Sequence, residues 1–289
     1  MAVAYILYND KAGKNNDLTQ LKTMLKDDYK IFNVLDVKDY KQFLSELSKD
    51  DYIIIAGGDG TINHFANDTA DIPFENDVLL YPSGTGNDFA FDVGKQKGCE
   101  PFSIKKYLKD LPTVTINGKK SLFINGIGYG IDGYCCEVGD KQKAAGKTDI
   151  NYTGIAIKGL LFHFKPVNAK VTGESAEYTF KKAWLAPAMH GRFYGGGMMA
   201  APNQNREDDD KNLSVMVFHG KGRLQTLIAF PSIFKGEHIK KEKIVKVIKG
   251  KEITVEFDRP CALQIDGETV LGVTSYSAVT ADAKQKIIA

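Results

Sequence analysis

Two glycine-rich stretches carry the residue types best suited to chemistry in this 289-residue chain. The first is Gly57-Gly58-Asp59-Gly60-Thr61, and the second is Pro82-Ser83-Gly84-Thr85-Gly86-Asn87-Asp88. A loop of backbone N–H groups holds phosphate oxygens only where the backbone comes close, and glycine removes the obstructing side chain. Thr61 can cap a following helix and also donate its hydroxyl to a phosphate. Asp59 stands among donors where an anion is expected, which makes sense if Mg²⁺ joins it to the phosphates. The alternative is a tight strand-to-helix turn in which Asp59 caps a helix. Neither stretch is a G-x-x-x-x-G-K-[ST] loop, and neither matches G-x-G-x-x-G closely. The spacing alone therefore gives a nucleotide or phosphate site and no reaction.

The elements that must position these loops read as strand, glycine loop, then helix, twice. Tyr52–Ala56 precedes the first loop and Val78–Tyr81 the second, each an apolar run of buried-strand type. Residues 2–8 predict a first strand and Ile31–Val37 a second. Helices are predicted around Leu18–Leu25, around Tyr40–Leu47 and from about Ile62 to Ala70. Alternating strands and helices imply a parallel sheet covered on both faces, and such sheets bind ligands at the carboxyl ends of their strands. After this the pattern changes. Asn117-Gly118 between two apolar runs predicts a hairpin. Strands follow at Ala169–Thr172, Tyr178–Ala186, Leu213–Phe218, Ile244–Ile248, Ile253–Phe257, Ala262–Ile265 and Tyr276–Thr280, with helices near 150–163 and 223–235. The expected architecture is an α/β Rossmann-like domain over 1–115 and an antiparallel β-sandwich domain over 116–281.

Composition sets outer limits. A net charge of +2 argues against nucleic acid as a partner, which needs a strong basic excess. Cys99, Cys135, Cys136 and Cys261 lack metal-ligand spacing and read as reduced thiols of a cytoplasmic protein. Neither a signal peptide nor a membrane-spanning stretch is visible. Lys235, Lys240, Lys241, Lys243, Lys246, Lys249 and Lys251 crowd one stretch, tempered by Glu237 and Glu242. That stretch is either an ordinary solvated surface or a peripheral contact with an anionic membrane. The run Tyr152–Phe164 is either a core helix or an apolar companion to that contact.

The pair of loops, G-G-D-G-T followed by P-x-G-T-x-N-D, resembles the catalytic domain of the diacylglycerol/sphingosine kinase superfamily, nearest to its bacterial diacylglycerol-kinase-like lipid kinases. Asn125-Gly126-Ile127-Gly128, Gly195-Gly196-Gly197-Met198, Lys235-Gly236-Glu237-His238 and Asp266-Gly267-Glu268 follow in the same order. The resemblance implies an NAD kinase-like and lipid kinase-like fold, with residues 282–289 returning to the first domain. It implies ATP and Mg²⁺ as cofactors and a lipid hydroxyl as phosphoryl acceptor, most naturally diacylglycerol. The lipid headgroup would enter between the domains, at the inner face of the cell membrane. Asp59, Asp266 and Glu268 would be catalytic, with Asp59 acting on Mg²⁺ through water and Glu268 accepting the hydroxyl proton. Asn9, Gly13, Gly57, Gly58, Asp59, Gly60, Thr61, Asn63, Gly84, Thr85, Asn87 and Asp88 would contact the nucleotide. Without the resemblance, Asp266-Gly267-Glu268 reads as an ordinary β-turn.

The sequence departs from the family at three points. Asn9-Asp10-Lys11-Ala12-Gly13 stands for N-P-x-S-G, and His64 stands where Glu is common. Pro202–Lys211 stands for a structural-Mg²⁺ motif, leaving Asp210 as its remnant ligand or as part of a solvated acidic turn. An NAD kinase, or a catalytically silent nucleotide- or lipid-binding protein, is the rival reading, and a homodimer is left open.

Overall fold

The computed structural model describes residues 2–9 and 18–281. Contacts among them part between Leu111 and Pro112 into two units.

The first unit alternates strands and short helices: β1 (Val3–Tyr8), α1 (Thr19–Met24), β2 (Asp28–Asn33), α2 (Tyr40–Ser45), β3 (Tyr52–Gly57), α3 (Asp59–Asp68), β4 (Asp77–Pro82), α4 (Asp88–Asp92), β5 (Phe102–Ser103) and α5 (Lys105–Leu108). The sheet order is β2-β1-β3-β4-β5. β1 to β4 run parallel, and β5 joins β4 antiparallel. Ile53, Ile54, Ile55 and Ala56 of β3 are fully buried, as a central parallel strand covered on both faces must be. β2 lies at an edge and is mostly exposed. It begins at Asp28, earlier than the predicted Ile31–Val37, because an exposed edge strand carries no apolar run to mark it.

The second unit holds β6 (Thr113–Ile116), β7 (Lys119–Leu122), β8 (Gly126–Tyr129), α6 (Ile131–Ala144), α7 (Tyr152–Lys158), a π-helical turn (Gly159–His163), β9 (Val167–Thr172), β10 (Glu177–Ala183), β11 (Ala188–Met189) and β12 (Leu213–Phe218). It continues with α8 (Arg223–Ala229), two 3₁₀ turns (Phe230–Lys235 and Glu237–Lys240), β13 (Val245–Gly250), β14 (Glu252–Ile265) and β15 (Glu268–Val279). Among the described residues the strands form one antiparallel hydrogen-bonded network. It wraps a single core because β14 changes partners along its length. Thr254–Phe257 pair with β9, and Leu263–Ile265 pair with β8. The two strands expected at 253–257 and 262–265 are therefore one, kinked where Pro260 removes a ladder donor. β10 ends at Ala183, short of the predicted Ala186, after a bulge at Lys182 with φ 53°. Tyr129 stacks on Phe257 with ring centroids 3.7 Å apart, and its hydroxyl donates to Val273 O at 2.7 Å.

Helix α6 was not evident from the sequence. The residues it buries are Ile131, Asp132, Gly133 and Gly139, which give no apolar stripe. Gly133 lets it lie on β14: a Cβ there would sit 1.9 Å from Ala262 O. Gly133→Ala should therefore cost about 1–3 kcal/mol through forced displacement of the helix. Urea unfolding measures this, and an unchanged midpoint would mean the helix is not held against the strand.

Candidate active site

β3 and β4 are neighbours in register, with Gly57 opposite Pro82. Their glycine loops therefore leave the sheet side by side. Ser83 N donates to Gly57 O at 3.0 Å and Asp59 N to Gly86 O at 3.3 Å. A Cβ on Gly58 would lie 2.2 Å from Gly86 O, and one on Gly84 would lie 2.4 Å from Gly58 Cα. The two glycines are thus required by the approach of one loop to the other, before any ligand is considered.

The buried carboxylate of Asp59 ties the loops together. Its Oδ2 accepts from Asp88 N and its Oδ1 from Phe89 N, both at 2.9 Å. These are first-turn amides of α4, which helical geometry leaves without partners. Asp59 also begins α3, so one carboxylate stands at two helix N-termini, where a negative group is favoured. Asn87 Nδ2 donates to Gly84 O at 2.8 Å. Two buried polar atoms beside these contacts, Ser83 Oγ and Asn87 Oδ1, have no hydrogen-bond partner. A hydroxyl suits a phosphate oxygen, and an amide oxygen suits a hydrated cation or a nucleotide donor, so the loops fit an ATP–Mg²⁺ ligand.

The second unit builds its own cluster. Asp266-Gly267 is a two-residue turn between β14 and β15 with φ values of 46° and 101°, the positive pair that a type I′ hairpin requires. The Asp266 carboxylate accepts from Ile124 N, Asn125 N and Gly126 N at 2.5, 2.8 and 3.0 Å. Asp266 therefore holds the start of β8. Arg206 braces the same segment, donating to Ile124 O at 3.2 Å and Asn125 Oδ1 at 2.9 Å. Glu268 is exposed at the first residue of β15.

Sequence profiles match this arrangement in order. The diacylglycerol kinase catalytic domain matches residues 3–114, and the YegS C-terminal NAD kinase beta sandwich-like domain matches residues 125–283. The chain belongs to the diacylglycerol-kinase-like lipid kinase family. It is 25% identical over 256 residues to Bacillus subtilis YtlR, which is provisionally named a lipid kinase, covering 81% of this chain and 79% of that protein. A diacylglycerol kinase of Mycobacterium tuberculosis is 26% identical over 216 residues, covering 71% of this chain and 67% of that enzyme. A crystal structure from Bacillus anthracis str. Sterne, provisionally assigned as a diacylglycerol kinase, shares the fold. Its TM-score is 0.66 at 22% identity, with 96% of this chain and 94% of that one covered.

In this lipid kinase family member the C-terminal edge of the parallel sheet collects Asn9, Gly57–Asp59 and Ser83–Asp88. Gly60 and Asn63 lie on the first turns of α3, and Thr85 is exposed at the tip of the second loop. Gly13 and residues 282–289 lie outside the described residues. Thr61 does not cap a helix. α3 begins earlier than predicted, at Asp59 with Gly58 as N-cap, and the Thr61 side chain folds back so that a Cβ on Gly57 would meet its Oγ1 at 2.4 Å. Asp210 is exposed on the turn closed by Lys211 N to Asp208 O. No group of three or more His, Cys, Asp or Glu suited to a metal occurs among the described residues.

Sequence reading missed Arg206, which directly precedes an acidic run, and the buried pair Asp132 and Tyr194. Tyr194 Oη donates to Asp132 Oδ2 at 2.5 Å. Burial pushes the Asp132 carboxyl up to about 7, against a smaller lowering by that hydrogen bond. Burial likewise raises Tyr194 well above its ordinary range.

Two outcomes follow. Gly84→Ala should lose about 1–3 kcal/mol of stability and weaken ATP binding at least about tenfold, because its Cβ meets backbone that cannot yield. Calorimetric titration and thermal melts check both, and wild-type values would show that the loops do not touch. Asp132 takes up its proton more readily folded than unfolded. Its contribution is full below about pH 4 and is lost as pH rises to about 7. Asp132→Asn should flatten that part of the stability profile, whereas an unchanged slope would place the titration elsewhere.

Proposed function

We propose that this chain is an ATP- and Mg²⁺-dependent lipid kinase that transfers the γ-phosphoryl group to a lipid hydroxyl, with diacylglycerol as acceptor and phosphatidic acid as product. The observation that carries this reading is the pair of interlocked loops closed by Asp59, with Ser83 Oγ and Asn87 Oδ1 buried beside them and lacking protein partners. ATP would supply the phosphoryl group, and Mg²⁺ would offset its charge as transfer proceeds. Backbone N–H groups of the Gly57–Gly60 and Gly84–Gly86 segments, with Ser83 Oγ, hold the phosphate tail. Asp59 and Asn87 would face the hydrated cation. Glu268 takes the proton of the acceptor hydroxyl, since an alcohol is a poor nucleophile and a carboxylate within reach removes its proton as the new P–O bond forms. Asp266 fixes the hairpin from which Glu268 projects. The names of the M. tuberculosis and B. subtilis relatives support a lipid as acceptor. Work on such an acceptor places the enzyme at the cytoplasmic face of the membrane.

Transfer of label from γ-labelled ATP into a short-chain, water-soluble diacylglycerol tests the reading. Glu268→Gln should lose about 10²–10⁴-fold in turnover with ATP affinity retained, and Asp59→Asn should lose turnover and ATP affinity together. Near-normal turnover in either variant removes that residue from the mechanism. Labelled NADP from NAD, with no labelled lipid, would overturn the lipid reading.

A further inference from the structure

The second unit exposes seven large apolar side chains among the described residues, and six of them lie on two segments that touch. Tyr152, Ile157 and Phe162 belong to α7 and the π-helical turn; Leu224, Ile228 and Phe234 belong to α8 and the 3₁₀ turn after it. The segments are joined where Arg223 Nη1 donates to Leu160 O at 2.8 Å. Phe162, Leu224 and Ile228 are 70%, 65% and 73% exposed. Such exposure is costly for side chains of this size unless something covers them. Leu224 and Ile228 are one helical turn apart and share a face of α8.

Charge identifies the cover. Neither Asp nor Glu occurs between Asp149 and Glu174, nor between Asp210 and Glu237. Lys158, Lys165 and Lys235 are exposed around the apolar side chains. We infer that this face, led by Phe162, Leu224 and Ile228, docks on an anionic bilayer, its apolar side chains entering the headgroup boundary and its cations meeting lipid phosphates. Self-association fits less well, because a two-fold dimer would set the same cations against each other. Lys235 belongs to this face, whereas Lys246 and Lys249, farther along the same lysine-rich stretch, are not needed for it. Lys246 and Lys249 lie on β13, which among the described residues pairs with β12 alone, and edge-strand lysines guard against unwanted strand pairing. The inference deepens the lipid-kinase reading and rests on it for the choice of partner.

Co-sedimentation with equimolar phosphatidylglycerol and phosphatidylcholine vesicles at low salt, without nucleotide, tests it independently of turnover. The wild type should pellet with these vesicles and much less with pure phosphatidylcholine. The triple variant Phe162→Gln, Leu224→Gln, Ile228→Gln should lose at least about tenfold in partitioning. Lys246→Gln with Lys249→Gln should change little. Ile228→Gln alone, at a site on a solvent-facing helix surface, should show a smaller loss in the same direction if the triple variant folds poorly. No wild-type pelleting, or a triple variant and an Ile228→Gln variant that both pellet like the wild type, overturns the inference. So does a wild-type dimer, by light scattering, that the triple variant dissociates while vesicle binding persists. Normal vesicle binding with no lipid phosphorylation would leave the docking face standing and remove the kinase reading.

Discussion

The first unit depends on one carboxylate. Asp59 spends both oxygens on the amides of Asp88 and Phe89, residues from the other loop. Each of those amides is buried in a first helical turn and would be costly to leave unpaired. The bond is possible only because Gly58 and Gly84 bring the loops to backbone contact. That contact in turn depends on β3 and β4 being parallel neighbours in register. Sheet, glycines and carboxylate form one chain of requirements, and at its end Ser83 Oγ and Asn87 Oδ1 are left buried without hydrogen-bond partners.

The second unit uses the same device at another place. Asp266 gathers three consecutive backbone N–H groups and so fixes where β8 begins relative to the β14–β15 hairpin. Both acids are therefore structural clamps at the base of their loops. Glu268 differs in kind: it is exposed on the strand that the clamp orients. Two buried or half-buried acids that gather backbone N–H groups and one exposed acid thus sit in different surroundings although all three flank glycines in the sequence.

Much of this was legible in the sequence because it is local. Glycine-rich loops after apolar runs announce a sheet edge, and Asn117-Gly118 announces a hairpin. The partners of Asp59 were not legible, since a bond spanning 29 residues leaves no periodic mark. Thr61 looked like a cap because Gly58 and Gly60 made the first turn of α3 resemble a loop. β14 looked like two strands because Pro260 interrupts its ladder without ending it. α6 stayed hidden because it packs by glycines and a buried acid, which hydropathy does not register.

Native-state hydrogen exchange at the Asp88 and Phe89 amides tests the Asp59 clamp most directly. The account predicts strong protection of both in the wild type and its loss in Asp59→Ala, with the amides of β3 remaining protected. Equal exchange at Asp88 and Phe89 in the two proteins would show that the loops are held by something else, and the picture of a carboxylate-closed phosphate site would fall.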